Sequence, residues 1–254
     1  MSWSSAWRLA VGTLTVFPVA APATVDRVVA GRAMIVAPVA VLPLAVLAAG
    51  LGFLAGLTGW PPLLSGLVVV GVLALGTRAL HLDGLADTVD GLGSGREAAQ
   101  ALDIMRRGDI GPMGVVALIL VLGAQAAAAS ELSQTWPGAA VAAVAIAVSR
   151  SSLLIACRAG VRAARPGGLG ATVAGSVRTP VAVAAGVGAA VVLVAAALLA
   201  GRPWWAPTVA VVAGAVVAYG IVRRCVRRLG GITGDVLGAT VELTMLVLLL
   251  ALAL

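Results

Sequence analysis

The feature that most constrains this chain is the recurrence of apolar runs of about 20 residues, the length that spans a hydrocarbon layer roughly 30 Å thick. Broken by glycine, proline, tryptophan or charge, such runs lie near 33–57, 63–80, 112–130, 138–157, 180–200, 206–222 and 236–254. The expected fold is all-α, a polytopic membrane bundle of about seven transmembrane helices. Composition agrees: 61% of the residues are hydrophobic and 11% charged, which excludes a water-soluble globule. A chain of 254 residues accommodates one membrane-embedded catalytic domain over 1–254, with no room for an appended soluble domain.

Arginine then orients the bundle. The 17 basic residues are all arginine and the net charge is +7, a balance that in a soluble protein would suggest nucleic acid as partner. In a membrane chain basic residues first set topology, so no nucleic-acid partner is expected. Loops 58–62, 131–137 and 201–205 hold only Arg202, whereas 81–111, 158–179 and 223–235 hold Arg96, Arg106, Arg107, Arg158, Arg162, Arg165, Arg178, Arg223, Arg224, Arg227 and Arg228. The positive-inside rule puts the N-terminus and the arginine-rich loops in the cytoplasm and the C-terminus outside, as in a multi-pass protein of the cytoplasmic membrane. Trp60, Trp136, Trp204 and Trp205 fall in the opposite loops, as interfacial anchors do.

The opening 22 residues lack the basic start, compact apolar run and cleavage site of a signal peptide and are expected to stay in the mature chain. Pro18 and Pro22 argue against a full span there, leaving an interfacial or re-entrant segment open. Paired prolines make 59–66 a tight turn, and RPGGLG at 165–170 reads as a flexible loop. Cys157 and Cys225, at cytoplasmic helix ends, are expected as reduced thiols.

Acids are scarce, which makes their placement informative. Of ten, Asp83, Asp87, Asp90, Glu97, Asp103 and Asp109 share the stretch 81–114. Asp83, Asp87 and Asp90 are spaced i, i+4, i+7 and so point within a roughly 60° arc of one helix face. Such crowding calls for a divalent cation, arginine partners or a raised pKa. Hard oxygen ligands without a histidine or cysteine cluster favour Mg2+ or Mn2+ over zinc. His81, about 200° from Asp83 on the helical wheel, reads as a packed histidine. Gly84 and Gly91 remove side chains where a bulky ligand would approach the backbone.

Arg96, Arg106 and Arg107 follow on the same side. Guanidinium groups beside a carboxylate-held metal are the parts that clamp a diphosphate, though anchoring or pairing with Glu97, Asp103 and Asp109 explains them equally well. A second polar cluster, LGGITGDVLGATVEL at 229–243, carries Thr233, Asp235 and Glu242, the two acids on one face. An acid inside an apolar helix needs a partner, so Asp235, Glu242 and, by the same cost, Arg150 are functional candidates. GLGSGR lacks the lysine of a phosphate loop and follows a helix, so no nucleotide fingerprint is present.

Together HLDGLADTVDGL at 81–92, the IM-R-x-x-x-IG-x-x-G run at 104–114, GLG at 168–170 and GG-x-TGDVLGA-x-x-EL at 230–243 resemble the bacterial cobalamin (5′-phosphate) synthase family, the adenosylcobinamide-GDP ribazoletransferases. The resemblance implies a membrane enzyme whose substrates are adenosylcobinamide-GDP and α-ribazole or its 5′-phosphate, with GMP as leaving group and Mg2+ as cofactor. Carried onto this chain, it makes Asp83, Asp87 and Asp90 the metal-binding and catalytic carboxylates, with Asp90 accepting the ribose hydroxyl proton. Arg96 and Arg106 would hold phosphate oxygens, with Arg150, Thr233, Asp235 and Glu242 among the substrate-binding residues. The lipid bilayer is the expected surrounding, the active site lies on the cytoplasmic side, and a homo-oligomer is compatible with this reading.

One segment departs from the family pattern IM-[KR]-D-S-R-IG. Arg107 and Asp109 exchange the acid and the base, which a salt bridge tolerates and a proton-transfer residue does not, so neither takes a catalytic role. Two other readings compete. A secondary transporter would spread acids near the midplane of pseudo-symmetric halves, and no halves correspond here. A CDP-alcohol phosphotransferase has a similar aspartate stripe and differs in its substrates.

Overall fold

The computed structural model describes residues 3–254; Met1 and Ser2, at the front of the opening segment, lie outside the described residues. The chain is helical in the order α1 (Trp3–Leu14), α2 (Arg27–Gly56), α3 (Pro62–Gly76), α4 (Leu80–Gly93), α5 (Ala98–Ile104), α6 (Pro112–Leu132), α7 (Trp136–Ser149), α8 (Ser152–Ala156), α9 (Gly168–Val173), α10 (Thr179–Leu199), α11 (Trp205–Leu229) and α12 (Gly234–Ala253). Among the described residues six helical segments are long and apolar enough to cross a membrane, α7 and α8 together forming one of them. The expected all-α polytopic bundle is therefore what folds.

Local chemistry explains where the spans begin. Asp26 accepts the Val29 N–H at 2.7 Å and so starts α2 several residues before the expected position 33. Thr135 caps α7 through Gly138 N–H, and Thr233 caps α12 through Val236 N–H. Pro62, Pro112, Pro137 and Pro180 sit in the first turns of α3, α6, α7 and α10, where a missing N–H costs no helix bond. Pro38 and Pro43 fall inside α2, which nevertheless runs unbroken for 30 residues.

The expected span 63–80 does not run straight. α3 stops at Gly76, Arg78 and Ala79 take left-handed φ values of 55° and 54°, and α4 leaves at 91° to α3. Left-handed backbone is strained at non-glycine residues and needs support. The support comes from α1: the Arg78 guanidinium donates to the carbonyls of Gly12 (2.9 Å) and Thr15 (3.1 Å), and Val16 N–H donates to Gly76 O at 2.8 Å. The opening segment is thus a 12-residue helix packed on α2, not a span.

Small residues set the close crossings. A Cβ on Gly66 would strike the Ala126 carbonyl and Ser130 N, and one on Gly52 would meet Ser133 Oγ at 3.0 Å, which brings the turn after α6 against the far ends of α2 and α3. At the other side, α4 lies across the first turns of α6 and α12, joined by the arginine-rich connections. α7–α8 and α12 are central, each 72% buried over its apolar window, whereas α10 is peripheral at 17%. The segment expected as a flexible loop at 165–170 is built in. Ala164 N–H donates to Ile232 O and Ile232 N–H to Arg162 O, both at 2.9 Å, and α9 begins at Gly168. Trp60, Trp136, Trp204 and Trp205 are all exposed, on the side away from most arginines. Cys157 and Cys225 are buried free thiols.

Candidate functional site

Helix α4 carries the acidic stripe to the edge of the bundle, where it crosses the start of α12. The crossing is close because Gly84 and Gly238 have no side chains. A Cβ on Gly84 would lie 2.6 Å from Asp235 O, and one on Gly238 would lie 2.9 Å from His81 O. Gly91 is likewise filled by Met105, 2.6 Å from where its Cβ would be. The expectation that Gly84 and Gly91 open the backbone to a ligand is thereby corrected: both admit the protein's own helices.

Beside this crossing is a cavity of about 190 Å³ whose polar wall is Asp83, Asp235 and Arg165, with Leu14, Met34 and Leu169 opposite. Arg165 Nη2 lies 3.5 Å from Asp235 Oδ2, and Thr233 Oγ1 donates to the same oxygen at 3.0 Å. The Arg165 Nη1 is buried without a hydrogen-bond partner. Asp83 is exposed at the cavity, and Asp87 follows one turn along α4, 9% exposed. α4 is turned away from the membrane limb α3, so Asp87 titrates at the bundle edge. Burial, then the neighbouring Asp83, Asp235 and Asp90 carboxylates, push its carboxyl up to about 6, with Arg165 pulling the other way.

The third carboxylate of the stripe is held by the start of α6. Asp90 accepts Gly111 N–H at 2.7 Å and Gly114 N–H at 2.9 Å, one on each oxygen, and so caps α6 from outside that helix. Negative charge at a helix N-terminus is favourable, and free N–H groups there need acceptors. Glycine is needed at both positions, because a Cβ on Gly111 would lie 2.6 Å from Asp90 Oδ1 and one on Gly114 would strike Oδ2. The IG-x-x-G run is thus the cradle of Asp90. Replacing Asp90 with alanine is expected to cost about 1–2 kcal/mol of stability, read as a lowered Tm in detergent, with asparagine recovering part of the loss.

The remaining candidates separate into three places. Thr233 is 1% exposed and holds Asp235 in position. Arg96 and Arg106 are exposed on either side of α5, and the Arg96 carbonyl accepts from Arg228 at 3.1 Å. Arg107 and Asp109 are exposed too, with no salt bridge between them. Arg150 and Glu242 are 0% and 4% exposed inside the bundle and do not line the cavity. Glu242 Oε2 accepts from Gln125 Nε2 at 2.9 Å, and His81 Nδ1 lies 3.8 Å from Oε1. Arg165 lines the cavity, although in the sequence it reads only as one of the topology arginines. Its signal was adjacency to the GLG motif, whose Gly170 packs directly on Thr233.

Among the described residues no three His, Cys, Asp or Glu side chains form a ready-made metal cage. The donor chemistry nevertheless suits Mg2+, which commonly takes one or two carboxylates and completes its shell with water and substrate phosphates. Asp83 and Asp87, i and i+4 on one face in a field of further carboxylates, are such a pair.

The fold and this site together define a multi-pass helical membrane protein with a carboxylate-and-arginine pocket at one edge of the bundle. The model of the cobalamin-5-phosphate synthase family matches residues 6–253, and the chain belongs to that family. It is 46% identical over 247 residues to the adenosylcobinamide-GDP ribazoletransferase of Nocardioides sp. (strain ATCC BAA-499 / JS614), with 97% of each chain covered. It is also 40% identical to the protein of the same name from Frankia casuarinae, covering 97% of this chain and 93% of the other. The corresponding figures for Rhizobium meliloti are 39% identity and coverage of 88% and 86%. No solved structure matches the chain.

Proposed function

We propose that the chain is the membrane transferase that joins adenosylcobinamide-GDP to α-ribazole or its 5′-phosphate, releasing GMP. The observation that carries this is near-complete alignment with ribazoletransferases, together with a pocket of carboxylates and one arginine where the segments 81–92, 168–170 and 230–243 of this chain meet. A ribose hydroxyl oxygen of the ribazole forms a bond to the corrinoid-side phosphorus of the diphosphate. The bridging P–O bond breaks, and its electron pair leaves with GMP.

Such a transfer asks mainly for positioning and charge neutralisation. Asp83 and Asp87 would hold Mg2+ jointly with the substrate phosphates; bound there, the ion would offset charge on the diphosphate and on departing GMP. Arg165 supplies fixed positive charge beside Asp235, and its unpartnered Nη1 would donate to a phosphate oxygen. With Asp83 assigned to the ion, Asp235 is the carboxylate beside the cavity left to take the hydroxyl proton. Asp90, whose oxygens accept two N–H groups, is left out of both the base role and the ligand set. The arginine-rich side that bears the pocket faces the cytoplasm, and the membrane is the cytoplasmic membrane.

The test is turnover by the purified chain in vesicles with Mg2+ and both substrates. Release of GMP with formation of cobalamin or its phosphate supports the reading. Release of CMP from a CDP-alcohol, or solute movement without covalent change, overturns it. Arg165→Gln is expected to lower kcat/KM about tenfold to a hundredfold, the worth of a charge-assisted hydrogen bond. Arg165→Lys should recover only part of it, because an ammonium does not reproduce the planar fork.

A further inference from the structure

A groove of about 330 Å³, larger than the Asp83 pocket, lies between α10 and α11, floored by α7–α8 and α12, and the two share no lining residue. Its chemistry is graded along the membrane normal. At the arginine-rich end stands Arg158, whose guanidinium lies 5.4 Å from the Tyr219 ring and donates from Nη1 to Ile155 O at 3.0 Å. About one to two turns deeper, Ser151 and Ser152 line the groove. Beyond them the wall is apolar, apart from Thr244 beside Leu248.

Two further observations single this groove out. Ser152 and Thr244 are 4% and 6% exposed, and their hydroxyls, like that of Ser151, have no hydrogen-bond partner. A buried hydroxyl without a partner is costly, and more so among apolar helices. The outer wall is also the least embedded helix: α10 presents Val183, Val187 and Val191 at 59%, 57% and 61% exposure, so the groove opens toward the apolar surroundings of the bundle.

We infer that this groove is a binding site for an anionic membrane phospholipid. The headgroup phosphate pairs with Arg158, the ester carbonyls accept from the Ser151 and Ser152 hydroxyls, and an acyl chain runs along Gly186 and Leu248. The order phosphate, ester, chain matches the order guanidinium, hydroxyls, apolar wall. A zwitterionic headgroup brings a cation beside Arg158 and matches less well. The highly polar diphosphate substrate fits a groove with one charged residue poorly, which makes this a site separate from the transfer reaction.

Native mass spectrometry of the full chain released from detergent micelles, with phosphatidylglycerol or phosphatidylcholine added, tests this directly. Wild type is expected to retain phosphatidylglycerol about fivefold more than phosphatidylcholine, the worth of one arginine at the membrane surface. Arg158→Gln should bring the ratio to about one. Gly186→Phe, at a groove-lining position where an added Cβ meets no atom within 4 Å, should reduce retention of both lipids while leaving the fold intact. Equal retention of the two lipids by wild type, an unchanged preference in Arg158→Gln, or full retention by Gly186→Phe would each overturn the assignment.

Discussion

Asp87→Asn is expected to lower GMP release by roughly two to three orders of magnitude, the loss typical of removing a group that stabilises developing charge in a transition state. Asparagine keeps the volume and the hydrogen-bonding shape of the residue but cannot supply the negative charge that a divalent cation requires. Asp87 is also under pressure, 9% exposed and pushed up to about 6 first by burial and then by Asp83, Asp235 and Asp90. Removing its charge relieves that repulsion, so the variant should insert into the membrane and unfold no earlier than wild type. The check is GMP release from vesicles in Mg2+ buffer beside a Tm in detergent. Undiminished turnover at normal Tm would remove Asp87 from the proposed ligand pair.

Much of this site was legible in the sequence, for a reason particular to membrane chains. Where acids are scarce, a stripe such as Asp83, Asp87 and Asp90 stands out, and helical spacing predicts which share a face. The arginine distribution likewise showed which helix ends gather around them. What the residues could not disclose was which long-range neighbour each would meet. Asp90 shares the face of Asp87, yet the start of α6 arrives at its end of the helix and takes both its oxygens. Gly84 looked like room for a ligand, and the backbone of Asp235 occupies that room. Arg165 looked like one topology arginine among many until the chain folded it against Asp235. The turn at Arg78 and Ala79 carries no glycine to announce it, because carbonyls of the distant α1 stabilise the left-handed backbone there.

Arg150 and Glu242 illustrate the cost of charge inside a span. An ionised side chain within a span must find a partner, and these two lie in each other's electrostatic field, both bordering one very small internal cavity with Gln125 and Met245. Arg150 Nη1 donates to Ile146 O at 2.7 Å and to Ser149 Oγ at 3.0 Å, while Gln125 and His81 face the carboxylate. The cluster therefore ties α4, α6, α7 and α12 together, and its Arg150, Glu242 and Gln125 lie outside the lining of the Asp83 pocket. Removing one charge leaves the other buried and uncompensated, which costs about 3–5 kcal/mol, whereas replacing both with apolar residues of similar volume is close to neutral. Glu242→Met should accordingly lower Tm by roughly 10 °C, the shift such a loss gives in a domain of this size. Arg150→Met combined with Glu242→Met should recover most of it, with KM for adenosylcobinamide-GDP near the wild-type value. A double variant as unstable as the single one would show that shape rather than charge holds the cluster together. A stable double variant with a greatly raised KM would return both residues to substrate binding.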